Sequence, residues 1–76
     1  MRDYRQRLAN YLRTRRGEEG QIAFANRIGV SQSTLQRLEI AEQNVGLDTL
    51  ETICVRLHCE IGDLFPPLPT TGQPQG

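Results

Sequence analysis

The chain contains no lysine, one histidine, two cysteines and no proline before residue 66. With a single histidine, no glycine-rich phosphate loop and no paired carboxylates, no catalytic constellation can be assembled, so an enzyme is excluded and no cofactor is called for. Two cysteines are too few for the disulfide framework of a secreted miniprotein, so reduced thiols are expected. No stretch approaches the eighteen or so apolar residues of a membrane span. The arginine-rich start also lacks the apolar run of a signal peptide, which points to a soluble, cytoplasmic protein. No run of alternating β-branched residues is present, and there are no internal repeats, so the expected class is all-α. At 76 residues the chain offers one small domain with a small core, whose marginal stability dimerisation would help.

What is present is charge, unevenly placed. Nine arginines balance nine acids, a formal net charge of zero. Residues 1–37 hold eight arginines against three acids, a net +5, and residues 38–76 hold one arginine against six acids, a net −5. That split suggests a basic working face and an acidic remainder. Residues 66–76 contain all four prolines and two of the seven glycines, and read as a disordered tail after a domain at residues 1–65.

Within residues 1–65 the periodicity predicts a first helix over residues 4–16, capped by Asp3 with Gln6 three residues on. Tyr4, Leu8, Tyr11 and Leu12 share a face directed at the core. Arg2, Arg5, Arg13 and Arg16 gather around Ala9, either as a solvated flank or as a phosphate-facing stripe. Gly17 ends this helix, and Gln21 to Ile28 form a second. Ser31 caps a third that runs to Glu39, a fourth covers residues 47–57, and a last turn spans residues 61–65 before Pro66 and Pro67 stop it.

The informative segment is residues 21–39, QIAFANRIGVSQSTLQRLE. Two short helices joined by a tight glycine turn have the layout of a helix-turn-helix. Ala25 is small enough for a close helix crossing, and Gly29 stands where the chain needs a positive φ. Phe24, Ile28, Val30, Leu35 and Leu38 supply the wedge between the helices. Gln32, Ser33, Gln36 and Arg37 face outward and are long or polar enough to reach base edges in a major groove. Cys54, His58 and Cys59 lack a fourth ligand and any paired spacing, so a metal site is not expected. The two thiols are read as core residues, and His58 as a helix end that tolerates positive φ. Leu64 and Phe65 either complete the core or join a dimer interface.

Taken together with Leu47-Asp48-Thr49-Leu50-Glu51-Thr52-Ile53-Cys54 and Ile61-Gly62-Asp63-Leu64-Phe65, this segment resembles the Cro and phage-repressor type helix-turn-helix family, also called the xenobiotic-response-element family. The resemblance covers roughly residues 5–65. It implies a compact five-helix bundle that binds double-stranded DNA as a homodimer on a pseudo-palindromic operator, with residues 31–39 as recognition helix. The DNA-binding set it implies is Gln21, Ser31, Gln32, Ser33, Gln36 and Arg37. Gln21 would donate to a phosphate, Gln32 would read adenine with Ser33 beside it, and Arg37 would reach a guanine or a phosphate. It also implies a salt bridge between Arg13 and Glu39.

Three departures stand out. The turn before Gln21 is one residue longer than usual, Glu18 and Glu19 stand where an apolar residue is common, and residues 40–45 carry Ala41 and Glu42 in place of glycine and a base. They leave open a second reading, a protein-interaction module or antitoxin component with weak DNA binding. Its partner would be a toxin or another regulator.

Overall fold

The computed structural model describes residues 3–42 and 44–68, and two of its helices begin at residues whose side chains cap them. Four α-helices, α1 (Tyr4–Arg16), α2 (Gln21–Ile28), α3 (Gln32–Glu39) and α4 (Leu47–Leu57), are followed by a 3-10 turn at Ile61–Leu64. The fold is therefore all-helical, and the fifth helix of the expected bundle is a single 3-10 turn. Asp3 Oδ1 accepts the Gln6 amide at 3.1 Å to start α1, and Ser31 Oγ accepts the Thr34 amide at 3.1 Å to start α3. α4 begins at Gly46 without a side-chain cap, and Asp48 lies in its first turn, where the helix dipole favours an anion.

The helices close around Leu8, Leu12, Phe24, Ala25, Ile28, Leu35, Leu38, Leu50, Ile53, Leu57 and Leu64. α1 packs on α3, α2 touches both α3 and α4, and the 3-10 turn bridges α1 and α4. Leu64 thus completes the core, whereas Phe65 is only half-buried at its margin.

The buried face of α1 differs from the one expected. Leu8, Ala9 and Leu12 are buried, while Tyr4 is 52% exposed and Tyr11 is half-buried. A tyrosine has an apolar ring and a polar tip, so it settles at the margin, where both are satisfied. Tyr4 stacks edge-on against Phe65 at 5.7 Å, and the Tyr11 hydroxyl accepts from Arg15 at 3.1 Å. Ala9, having only a methyl group, is fully enclosed. Of the arginines grouped around it, Arg5 and Arg13 are exposed and Arg16 is half-buried, while Arg2 lies outside the described residues.

Two positive-φ positions shape the turns that orient the site. Gly29, at φ 84°, ends α2 and donates to Ala25 at 2.9 Å. A Cβ there would lie 2.7 Å from Thr52 Cγ2, and Thr52 is held in its rotamer by a 3.0 Å bond to the Asp48 carbonyl. Gly29→Ala is therefore expected to cost about 1–2 kcal/mol from the left-handed conformation and the clash together. A urea midpoint equal to that of the parent would refute this. At the far end of the site, Ala41 takes φ 59°, the conformation that glycine adopts more easily.

Of the segment expected to be a disordered tail, residues 66–68 are described and the rest lies outside the described residues. The Arg7 guanidinium donates to the Phe65 carbonyl and, at 3.1 Å, to the Pro66 carbonyl. Pro66 and Pro67 line a shallow cavity with Asn10, Tyr11 and Thr14 of α1. This first part of the segment is held against α1.

Candidate nucleic-acid interface

Residues 32, 33, 36 and 37 fall on one stripe of α3 at 100° per residue, opposite Leu35 and Leu38. Leu35 and Leu38 are at most 2% exposed, so anchoring that face in the core turns the other outward. Gln32, Ser33, Gln36 and Arg37 are all exposed. No side-chain hydrogen bond or ion pair engages Gln32, Ser33 or Arg37 among the described residues, so their polar groups are available. Ser31 is exposed but occupied: its hydroxyl caps α3 and also donates to Thr34 Oγ1 at 2.9 Å.

Gln21 opens α2 beside this stripe. Gly20, before it, provides no side-chain cap, so the first amide N–H groups of α2 have no capping acceptor from it. Such a helix start attracts phosphate oxygens. The Gln21 side chain donates to Glu39 Oε1 at 3.1 Å and accepts from Gln36 at 3.3 Å. Glu39 is a carboxylate and can only accept, so it fixes which way the Gln21 amide points, and Gln21 in turn turns the Gln36 NH2 toward itself. One Gln21 N–H and the Gln36 carbonyl oxygen stay available to a ligand.

Glu39 is the one buried charged residue among those described. The salt bridge expected from Arg13 is made by Arg16 instead: Arg16 Nε meets Glu39 Oε2 at 2.7 Å, and Arg16 Nη2 meets Oε1 at 3.0 Å. Arg16 lies three residues beyond Arg13 and nearer the turn, where its Nη1 also donates to the Glu19 carbonyl at 3.1 Å. Arg13, one turn back, donates to Asn10. The Glu39 hydrogen bonds hold the Arg16 guanidinium protonated even more firmly than usual.

Other arginines of the basic half are also engaged. Arg27 pairs with Glu19 at 3.0 Å and lies over the Phe24 ring at 5.1 Å. Arg7 holds the chain at residues 65 and 66, and Arg5 reaches Asn44 at 3.4 Å. Among the described arginines of residues 1–37, Arg16 and Arg27 form ion pairs, Arg5, Arg13 and Arg15 remain exposed, and Arg37 is the cation on the exposed stripe of α3. Glu19 is paired with Arg27, while Glu18 and Glu42 are exposed.

Sequence reasoning missed two contributors. Arg56 of α4 donates to the carbonyls of Asn26 and Arg27 at 3.3 and 3.4 Å, closing the C-terminal end of α2. The Glu39–Gln21–Gln36 relay was also missed, although the polar residues at 21 and 36 and the acid at 39 were visible. Among the described residues, no group of three or more histidine, cysteine or acidic side chains is placed to hold a metal. Nor, among the described residues, is any helix long and apolar enough to cross a membrane.

Comparison with known proteins places this geometry in a family. No curated protein and no solved structure gives a significant match. The model of the Cro/C1-type HTH DNA-binding domain matches residues 7–68, which takes in α2, α3 and the turn between them. With most of its length covered by that model, the chain belongs to the Cro/C1-type helix-turn-helix DNA-binding domain family.

Proposed function

We propose that this chain is a sequence-specific transcriptional regulator, a repressor that binds a pseudo-palindromic operator as a homodimer and acts by occluding a promoter. The observation that carries the reading is the exposed stripe of Gln32, Ser33, Gln36 and Arg37 on a helix whose opposite face is locked in the core. An eight-residue helix reads only a few base pairs, so a second copy about 34 Å along the duplex is needed for a useful site. In this arrangement Gln32 pairs with adenine, Arg37 reaches a guanine or a phosphate, and Ser33 and Gln36 contact neighbouring base edges. Gln21 gives its remaining N–H to a phosphate at the start of α2, and Ser31 sets the entry of α3 at the backbone. The protein would work in the cytoplasm on the nucleoid.

Selection of bound sequences from a random duplex pool tests the reading, and an enriched inverted repeat is the expected product. Arg37→Ala and Gln32→Ala should each weaken operator binding by about 1–3 kcal/mol and relax base preference at one position per half-site. If both variants keep the parent's affinity and preference, α3 is not the reading helix.

A second reading has its own support. Because the formal net charge is zero and Glu18 and Glu42 are exposed, a protein-interaction module or antitoxin component with weak DNA binding is the alternative. Titration of generic duplex at rising salt separates the two. A DNA binder loses affinity with a log-log slope of about −0.9 per phosphate neutralised. A flat response would favour the module.

A further inference from the structure

α4 ends in a closed cap whose two contacting positions are both cysteine. His58 takes the left-handed conformation at φ 56° and ψ 50°; its amide donates to Val55 at 3.4 Å, and the Cys59 amide donates to the Cys54 carbonyl at 3.0 Å. In this kind of helix end, the residue after the left-handed position packs against the residue five before it, normally as an apolar contact. A backbone hydrogen bond running directly from one of these residues to the other also keeps their Cα atoms within the roughly 4.4–6.8 Å that a disulfide spans. Cys54 and Cys59 are free thiols, both half-buried. They line the same open groove of about 420 Å³, with Glu51, Val55, His58, Glu60 and Asp63.

We infer that Cys54 and Cys59 are a site of reversible oxidation, closing to an intramolecular disulfide across the end of α4 when the chain meets a low-molecular-weight disulfide. In the first step one cysteine thiolate, its proton released to solvent, attacks a sulfur of the small disulfide. A mixed disulfide forms and one small thiolate leaves. The other cysteine thiolate then attacks the protein sulfur of the mixed disulfide, forming the Cys54–Cys59 bond and expelling the second small thiolate. Two protein thiols are oxidised, one disulfide is reduced to two thiols, and the two protons end on the released thiolates. The neighbourhood agrees with sulfurs in contact. Burial first, and then the adjacent Cys59 thiol, push the Cys54 thiol up, and burial followed by Cys59 does the same to the Tyr11 hydroxyl. Burial therefore lowers the thiolate fraction and slows attack by Cys54.

The test equilibrates the full chain with reduced and oxidised glutathione, once in native buffer and once in concentrated urea, followed by acid quench and mass measurement. A six-residue segment closes to some extent even when unfolded, so the informative quantity is the ratio of effective thiol concentrations, native over denatured. A ratio of about tenfold or more is expected, with a monomeric product about 2 Da lighter and a raised Tm, because the fold and the bond favour each other. Cys54→Ser should stop at the glutathione adduct on Cys59. A native ratio of one or less would overturn the inference, as would products confined to adducts or intermolecular dimers.

Discussion

Phe24→Ala is expected to remove most of the folding free energy of this chain. The side chain is fully buried and is the largest of the fully buried set. Its ring also carries the Arg27 guanidinium on its outer side at 5.1 Å. Truncating a buried phenylalanine costs about 3–5 kcal/mol, part from lost transfer energy and part from the cavity. A domain of about 65 residues has only about 3–10 kcal/mol of stability in total. Leu8, Leu12 and Ile53 are equally enclosed, and none can extend to refill a phenyl-sized space without leaving its own contacts. Urea unfolding followed by circular dichroism should therefore show a variant partly unfolded without denaturant. Phe65→Ala, which truncates a half-buried ring resting edge-on against Tyr4, should lose only about 1 kcal/mol. Comparable losses in the two variants would mean the core is not centred on the α2–α3 wedge.

The contrast between these two phenylalanines also marks what a sequence can and cannot disclose. Phe24 was legible because Ala25, Ile28, Leu35 and Leu38 surround it at helical spacing and Gly29 folds the two helices onto each other. Helix ends were legible for a similar reason: Asp3, Ser31, Gly29 and His58 act through bonds to residues five or fewer away. The exposed stripe followed, since a helix with Leu35 and Leu38 inside must display positions 32, 33, 36 and 37. The choices made across the fold were not legible. Tyr4 and Ala9 exchanged roles because a tyrosine settles at the core margin while a methyl group fits wholly inside, a difference that helical spacing does not rank. Arg13 and Arg16 lie three residues apart on overlapping faces, and periodicity cannot rank them. Only the path of the turn after Gly17, at φ 56°, brings the Glu19 carbonyl to Arg16 and selects it. Counting arginines likewise does not reveal which carbonyl or carboxylate each one has found, as Arg7 and Arg16 illustrate.

Glu39→Ala should be the costliest substitution among the polar residues, at about 3 kcal/mol. The carboxylate is buried, with its side chain 5% exposed, and its two oxygens receive Arg16 on both sides and Gln21 on one. Removing one member of a buried pair typically costs 3–5 kcal/mol, because the other is left unpaired in a poorly hydrated place. Arg16 remains 23% exposed and can recover some hydration, which puts the loss at the lower end. Arg27–Glu19 is the natural comparison. Its members are 46% and 31% exposed, and breaking it should change stability by no more than about 0.5 kcal/mol. Double-mutant cycles on both pairs would then give a coupling several times larger for Arg16–Glu39, and equal couplings would refute the buried-pair account. The change should also reach the interface. Without Glu39 the Gln21 amide is free to invert, and Gln36 loses the acceptor that oriented it. Operator affinity, measured at a temperature where the variant is still folded, should therefore fall, with base preference broadening at the position Gln36 reads. Glu39→Gln keeps the shape and one acceptor, so it should recover part of the stability. An amide can present either end to Gln21, so base preference should recover less than stability does.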